Sequence, residues 1–351
     1  MNFETEQIGS IPRPPELVRA MREFAAGGID ASEVAYYGEQ AVKATIAELE
    51  ATGSPVITDG EQTKPSFATY PVAGLSNLAP DGVIIPFADG HTRQLPRLAS
   101  GPFRYARYAS SYAKAAQGFA AKPLKQAVIS ASALGLLYPD REIPGYPREQ
   151  FLEDLIREAA TDIRQCLDAG CVKVQMDFTE ARLSLKLDPT GALLQQFIDL
   201  NNRVLRQFPA EKGRLGVHTC PGGDRDATHS ADVDYAGLLP ALFQLEAGNF
   251  YLQLASEPDR KRVLGIIRDH SRPEQKIFIG VTDPIHPRLE TEEEICGQIL
   301  EAAKYIPAER LGTTDDCGFA PFSDDLSTSR SLAFEKIRAR VGGTMLAAGR
   351  L

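Results

Sequence analysis

The stretch RLGVHTCPGG, residues 214–223, decides how this chain folds. Its apolar residues Leu215 and Val217 alternate with Gly216 and His218, which predicts a short strand that ends near His218. His218 and Cys220 are two positions apart, so both side chains point to the same side of an extended chain. An imidazole and a thiol are donors that zinc prefers in proteins. The stretch therefore predicts a strand with a candidate metal site at its carboxyl end.

A second stretch, TTDDCGF at residues 313–319, has a similar form and supplies a third donor in Cys317. A His-x-Cys pair by itself is as typical of core residues as of metal ligands, because free cysteines are often buried. A glycine follows closely behind Cys220 and Cys317, and both cysteines lie in polar loops, which favours the ligand interpretation. Three ligands leave one position of a tetrahedral zinc ion open for chemistry.

Strands and helices alternate on both sides of the first stretch. Apolar periodicity predicts eight strands, near residues 8–11, 56–61, 125–130, 171–176, 214–218, 250–254, 277–281 and 310–314. One of the helices begins with a Thr-x-x-Glu capping box formed by Thr291 and Glu294. Eight strands, together with the lack of a Gly-x-Gly-x-x-Gly turn, favour the α/β class and a (β/α)₈ TIM barrel over an open doubly wound sheet.

Residues from about 64 to 122 interrupt this alternation and are rich in Gly, Pro and Tyr. A segment of this length between regular units is usually a lid or an inserted subdomain. We therefore expect a single barrel domain over residues 1–351, with an insertion at about 64–122 after the second strand.

Polar residues of the types used in catalysis come at the carboxyl ends of the predicted strands, which is the face where (β/α)₈ barrels hold their active sites. These residues are Ser10, Glu61, Asp177, His218, Cys220, Gln253, Asp283, His286 and Cys317.

Composition limits the partners and the compartment. A net charge of −9 would repel nucleic acid and anionic membranes. The amino terminus has no charged and apolar leader, and no apolar run approaches the roughly 18 residues of a membrane span. Five cysteines, an odd number, do not suggest a disulfide framework. We expect a cytoplasmic protein that acts on small molecules, and the sequence leaves a homo-oligomer open.

Five motifs carry a resemblance to a known family: IGS at residues 8–10, DGE at 59–61, QMD at 175–177, HTC at 218–220 and DCG at 316–318. Together they resemble the catalytic C-terminal barrel of the cobalamin-independent methionine synthases, in the short stand-alone form. The resemblance implies a methyltransferase in which zinc binds homocysteine as its thiolate. A methyl group would then pass to the sulfur from a methyltetrahydrofolate.

The resemblance also implies roles for single residues. The zinc ligands would be His218, Cys220 and Cys317. The amino and carboxylate groups of homocysteine would contact Ile8, Gly9, Ser10, Glu61 and Asp177. The proton-donating histidine of the family is most nearly matched by His286, with Asp283 as its partner.

The sequence departs from the family at three points. Gln253 stands where the family has a zinc-binding glutamate, so it is expected to be a weak fourth ligand. Leu183 stands about where a folate-contacting glutamate would be, and the chain has no Trp to stack on a pteridine. Methyltetrahydrofolate is therefore expected to be a poor donor.

Other functions stay open on these residues. A corrinoid methyl group, another methyl carrier or an epoxide opened with His286 as acid could replace the folate donor. The epoxide reaction resembles that of the epoxyalkane:coenzyme M transferases, although Glu61 and Asp177 argue against a sulfonate thiol. A metal-free lyase like uroporphyrinogen decarboxylase would leave the His and Cys triplet without a role. A zinc-stabilised binding protein would be expected to have a closed site with four ligands.

Overall fold

The computed structural model describes residues 3–351. Its strands β1 to β13 are Glu4–Thr5, Leu78–Ala79, Ile84–Pro86, Thr92–Gln94, Arg97–Leu98, Lys125–Ile129, Lys173–Asp177, Leu215–Thr219, Gly223–Asp224, Ala227–Thr228, Asn249–Leu252, Lys276–Thr282 and Leu311–Asp315. Its helices α1 to α11 are Pro15–Ala25, Ala31–Ala51, Ser110–Gln117, Ala131–Gly135, Arg148–Asp168, Glu180–Leu187, Ala192–Leu205, Tyr235–Leu242, Arg260–His270, Glu292–Ala302 and Arg330–Arg350. Within the described range, no helix is long and apolar enough to cross a bilayer.

Seven of the strands form one parallel sheet in the order β1-β13-β12-β11-β8-β7-β6. Each pair of neighbouring strands in this sheet is separated in sequence by at least one helix, which is the usual crossover between parallel strands. The predicted α/β fold is therefore confirmed. The predicted capping box is also present, because Thr291 accepts from the backbone of Glu294 while the Glu294 side chain accepts from the backbone of Thr291.

Two predicted strands differ from the structure. The first strand is Glu4–Thr5, so residues 8–11 lie beyond its carboxyl end. The second is reduced to a parallel bridge between Ile57 and Leu124. The backbone turns at Gly60 and Glu61, where φ is +66° and +54°, and residues in the left-handed region do not continue a strand. The prediction of a strand through residue 61 is therefore wrong.

The inner face of the sheet carries a buried ionic network at its amino-terminal side. Lys173 Nζ donates to Glu6 Oε1 at 2.5 Å, and Tyr251 donates its hydroxyl proton to Glu6 Oε2 at 2.6 Å. Lys125 Nζ lies 3.5 Å from Glu6 Oε2 and 4.2 Å from the centre of the Tyr251 ring. Buried charges are tolerated when they are paired and hydrogen-bonded, as these are. The main apolar core lies between the sheet and the helices.

The segment from about 64 to 122 contains the antiparallel hairpin β3–β4, the pair β2–β5 and helix α3. Its later part is hydrogen-bonded to α5. Tyr105 donates its backbone N–H to Glu158 Oε2 at 3.0 Å, and Ala109 donates to Asp162 Oδ1 at 2.6 Å. This part of the segment is therefore packed on the sheet-and-helix scaffold rather than standing apart from it.

Candidate metal centre and substrate cavity

Three side chains predicted as metal ligands meet at the carboxyl ends of β8 and β13. One donor atom from each of His218, Cys220 and Cys317 can be chosen so that all three lie within 4.8 Å of one another. The two Sγ atoms are 3.2 Å apart, and all three residues are buried. Ligand atoms at these separations can contact a single ion. The structure thus brings together residues that are almost 100 positions apart in the sequence.

The environment of His218 supports the interpretation of this cluster as a metal site. Neither ring nitrogen of His218 has a hydrogen-bond partner in the described part of the chain, although the residue is only 2% exposed. A buried polar group without a partner is costly, and a bound ion would satisfy one of the two nitrogens. The contact between the two Sγ atoms holds the pKa of Cys317 well below its usual value, with His218 acting in the same direction, and it raises the pKa of Cys220. The lowered pKa of Cys317 favours the thiolate, which is the form that binds metals.

The glycines that follow the two cysteines are required by close contacts. Gly222 has a φ of +73°, and a Cβ atom built on it would lie 1.9 Å from Nε2 of His229. A Cβ on Gly318 would lie 2.2 Å from Oγ of Ser10. The glycines thus allow the two cysteine loops to approach other residues of the site.

A cavity of about 400 Å³ opens beside the cluster. It is lined by His218 and Cys317 and also by every residue predicted to contact the substrate, namely Ile8, Gly9, Ser10, Glu61 and Asp177. We call this space the first cavity. Its lining shows that seven residues chosen from the sequence share one site.

The two carboxylates of the first cavity are both buried, but their partners differ. Lys64 Nζ donates to Glu61 Oε1 at 2.8 Å, so Glu61 has a full positive charge beside it. Among residues 3–351, Asp177 Oδ1 accepts from the neutral amide of Gln175 alone, at 2.7 Å. Burial raises the pKa of Asp177 to about 6, against the opposing effect of His218. Asp177 is therefore the less compensated of the two carboxylates.

The outer wall of the first cavity is aromatic and comes partly from hairpin β3–β4. Phe67, Phe87 and Phe322 line it together with Arg93. Arg93 donates to Asp224 at 2.6 Å, and its guanidinium lies 4.2 Å from the centre of the Phe322 ring. The hairpin is thus tied by an ion pair to the loop that follows Cys220.

A second cavity, of about 550 Å³, shares Gly223 and Cys317 with the first. Asp283 and Gln253 line it. Asp283 Oδ1 accepts from the backbone N–H of Ile285 at 3.0 Å. His286 lines neither cavity: it is exposed, and its Nδ1 accepts from the backbone N–H of Arg288 at 3.1 Å. The structure does not bring His286 to the cluster.

Gln253 has a partner that the sequence did not indicate. Its Oε1, the atom that would bind a metal, accepts from Arg182 Nη1 at 2.7 Å, and its Nε2 donates to Ser256 Oγ at 2.8 Å. Arg182 is buried and is itself fixed by the carbonyl of Val233 at 2.7 Å. Arg182 lies on α6, where no motif or spacing distinguishes it. Coordination by Gln253 would have to compete with this hydrogen bond.

His229 is a second residue that the sequence did not single out. It lines the first cavity, is 8% exposed, and its Nδ1 has no hydrogen-bond partner among residues 3–351. Burial lowers the pKa of His229 to about 4, and Lys186 and Arg182 act in the same direction. A neutral imidazole therefore faces the space beside the cluster. It lies in a loop without periodicity, so its sequence context gave no signal.

Comparison with known proteins places these motifs in one family. The model of the family described as "Cobalamin-independent synthase, Catalytic domain" matches residues 3–331. A 5-methyltetrahydropteroyltriglutamate–homocysteine methyltransferase from Acidithiobacillus ferrooxidans is 23% identical over 320 residues, which are 90% of this chain and 38% of that protein. The protein of the same description from Nitratidesulfovibrio vulgaris is 24% identical, with the same coverage. The chain thus spans less than half the length of these curated relatives.

Relatives of similar length also exist. The uncharacterized protein YxjH of Bacillus subtilis is 21% identical over 96% of this chain and 92% of its own length. Among solved structures, a B12-independent methionine synthase from Shewanella sp. W3-18-1 in complex with selenomethionine has a TM-score of 0.78 at 18% identity, with 100% and 99% of the two chains covered. A methyltransferase from Methanosarcina mazei has a TM-score of 0.51 at 12% identity over 98% and 94%. At these identities the two structures show a shared fold.

Proposed function

The chain belongs to the family of cobalamin-independent synthase catalytic domains, and from this premise we propose that it is a zinc-dependent methyltransferase acting on the sulfur of an amino thiol such as homocysteine. Two of the relatives that match 90% of this chain are named 5-methyltetrahydropteroyltriglutamate–homocysteine methyltransferases. One observation carries the proposal. The His218, Cys220 and Cys317 cluster borders a cavity that also contains the buried carboxylates of Glu61 and Asp177.

The donor set of the cluster fits zinc. His218, Cys220 and Cys317 would hold the ion. Two observations support this assignment: the ring nitrogens of His218 have no hydrogen-bond partner in the part of the chain that the structure describes, and the two sulfurs are 3.2 Å apart. When bound, zinc would lower the pKa of a coordinated thiol, so that the acceptor is present as a thiolate at neutral pH. Two cysteine thiolates and a neutral imidazole would balance the charge of the ion.

The remaining residues of the first cavity would bind and orient the acceptor. Asp177 and Glu61 would attract its ammonium group, since a buried carboxylate forms strong charge-assisted hydrogen bonds. Residues 8–10 would bind its carboxylate. Ser10 Oγ accepts from the backbone N–H of Ala320 at 3.2 Å, which leaves the hydroxyl proton of Ser10 free to donate.

The donor would approach from the aromatic wall. Phe67, Phe87 and Phe322 give a flat donor apolar faces to contact. A non-folate alkyl donor, such as a corrinoid methyl group or an epoxide, is the second candidate. It is favoured by the lack of Trp in the chain, since a pteridine would have no indole ring on which to stack.

We also propose that the parallel sheet closes into a (β/α)₈ barrel through residues 56–60. Lys125 donates its backbone N–H to Ile57 at 2.8 Å on one side, and Ile11 donates to the carbonyl of Gly60 at 3.0 Å on the other. Residues 64–122 would be the insertion, with hairpin β3–β4 as its lid. The ion pair of Arg93 with Asp224 supports a closed position of that hairpin.

Metal analysis and a donor panel test the proposal. Purified protein is expected to contain about one zinc per chain and, when loaded, to methylate homocysteine, with the product read by mass spectrometry of the thiol. Methyltetrahydrofolate, a methylcorrinoid and a short epoxide would be offered in parallel. The donor that yields an alkylated thiol identifies the second half of the reaction.

Cysteine variants supply the matched control. Cys317→Ser is expected to lose both zinc and activity, whereas Cys296→Ser should retain both, because Cys296 is a buried thiol of α10 outside the cluster. Circular dichroism should show a folded protein in both cases. Full zinc occupancy in the Cys317→Ser protein would contradict the ligand set.

A further inference from the structure

Gln175 connects two residues of the first cavity that come from different parts of the chain. It lies in the middle of β7 and is fully buried. Its Nε2 donates to Asp177 Oδ1 at 2.7 Å and to the backbone carbonyl of Ile8 at 3.1 Å. One amide group therefore fixes a carboxylate on β7 and a backbone segment that follows β1.

Lys125 determines which way this amide faces. Lys125 Nζ donates to Gln175 Oε1 at 2.9 Å. An ammonium group can only donate, so the oxygen of the amide must face Lys125 and its NH₂ must face Asp177 and Ile8. Lys125 cannot easily move away, because it is fully buried between Glu6, at 3.5 Å, and the ring of Tyr251, at 4.2 Å. The ionic network of the sheet thus sets the orientation of a group in the cavity.

We propose that Gln175 is a positioning residue that determines specificity for thiols carrying an α-amino group. This inferred role rests on the proposed function, in which Asp177 binds the ammonium group of the acceptor. Gln175 occupies one oxygen of the Asp177 carboxylate and holds the Ile8 carbonyl close to it. A carboxylate fixed in this way loses less freedom when it binds an ammonium ion than one that can rotate.

Two thiols of equal length test this role. Homocysteine and 4-mercaptobutyrate differ only in the amino group. Gln175→Met removes both donated hydrogen bonds with little change in volume. It is expected to raise KM for homocysteine about five- to twentyfold, as loss of one or two hydrogen bonds predicts. KM for 4-mercaptobutyrate should rise clearly less, because that thiol shares with homocysteine only the carboxylate that residues 8–10 would bind, and kcat for both thiols should change by less than about twofold.

Two further variants keep the test decisive if Gln175→Met folds poorly. Gln175→Asn retains an amide that is one methylene too short to reach from Lys125 to Asp177, and it should also raise KM selectively for homocysteine. Gln275→Met is the matched control. Gln275 is an equally buried glutamine that donates to the carbonyl of Phe243 at 3.1 Å, away from the cavity. It should leave the ratio of the two KM values unchanged.

The outcomes separate the inference from the function on which it rests. A wild-type protein that favours homocysteine, with variants at Gln175 that keep the same preference, would overturn the positioning role alone. Equal rises in both KM values would do so as well. A wild-type protein without any preference between the two thiols would overturn the assignment of Asp177 and the inference together.

Discussion

The ion pair between Lys64 and Glu61 offers the sharpest test of how the first cavity is held together. Lys64 is fully buried, and its Nζ donates to Glu61 Oε1 at 2.8 Å and to the carbonyl of Ala127 at 2.9 Å. Burial alone would lower the pKa of Lys64, but Glu61 and Asp59 outweigh it and raise the pKa above its usual value. Lys64 is therefore an ammonium ion at pH 7. Lys64→Met keeps the length of the side chain and removes the charge.

The expected loss of stability follows from burial. Removing one partner of a buried ion pair costs about 3–5 kcal/mol, because the other charge is left without compensation. Glu61 is 3% exposed, so water cannot replace the ammonium group. For 351 residues, an unfolding entropy of about 2.1 cal/mol/K per residue converts this cost into a fall in Tm of roughly 4–7 °C.

Thermal and urea unfolding of matched variants measure this quantity. Arg262→Met removes an ion pair of similar length, 2.7 Å to Asp234, but with both side chains more than half exposed. It should lower Tm by much less than Lys64→Met does, because ion pairs between exposed side chains contribute little to stability. The double variant Lys64→Met with Glu61→Gln should recover part of the loss, since a neutral amide is less costly to bury than a carboxylate. The reasoning from burial is refuted if Lys64→Met lowers Tm no more than Arg262→Met does. It is also refuted if the double variant is no more stable to heat and urea than Lys64→Met.

Three further predictions concern the chemistry of the site. Replacing His229 by Gln should lower kcat by at least about tenfold, because its neutral ring faces the first cavity. His286→Gln should lower kcat less, because His286 is exposed. Equal losses of kcat in the two variants would contradict this order. KM for homocysteine should rise as the pH falls through about 6, where Asp177 takes up a proton and can no longer attract an ammonium ion, and Asp177→Asn should remove this dependence. Gln253→Glu alone should leave zinc affinity nearly unchanged, because Arg182 would pair with the new carboxylate. Tighter zinc binding should require Arg182→Met in addition. Competition with a chelator measures the affinity of each variant.

The sequence predicted the position of the site because the site lies where simple periodicities end. His218 and Asp177 follow apolar runs, and strands of a parallel sheet bring their carboxyl ends to one edge. Residues at this edge therefore lie close together in space, and the structure of the loops between the strands does not change this. The turn at Gly60 and Glu61 was mistaken for the end of a strand, because a left-handed backbone leaves no mark in an apolar pattern.

The partners of the site residues could not be predicted in the same way. Arg182 reaches Gln253 across 71 positions of sequence, and Gln175 reaches Ile8 across 167. No local spacing records such contacts, since they depend on how side chains fill the interior after the sheet has formed. The family resemblance matched His286 to a proton-donating histidine, whereas the structure places its side chain at the surface, a position that the sequence pattern alone did not indicate.

Glu61 and Asp177 would contribute differently to the recognition of an amino thiol, because their hydrogen-bond partners differ in charge. The ammonium ion of Lys64 lies 2.8 Å from Glu61 and neutralises most of its charge. The net Coulomb attraction of Glu61 for a second cation is therefore small. Asp177 is bonded to a neutral amide and keeps its net charge in a buried position, where Coulomb attraction is screened far less than in water. Lys64 thus holds Glu61 in place while reducing its pull on a ligand, and Gln175 holds Asp177 in place without doing so. In the proposed reaction, Asp177 would therefore supply most of the attraction for the ammonium group, and Glu61 mainly its direction.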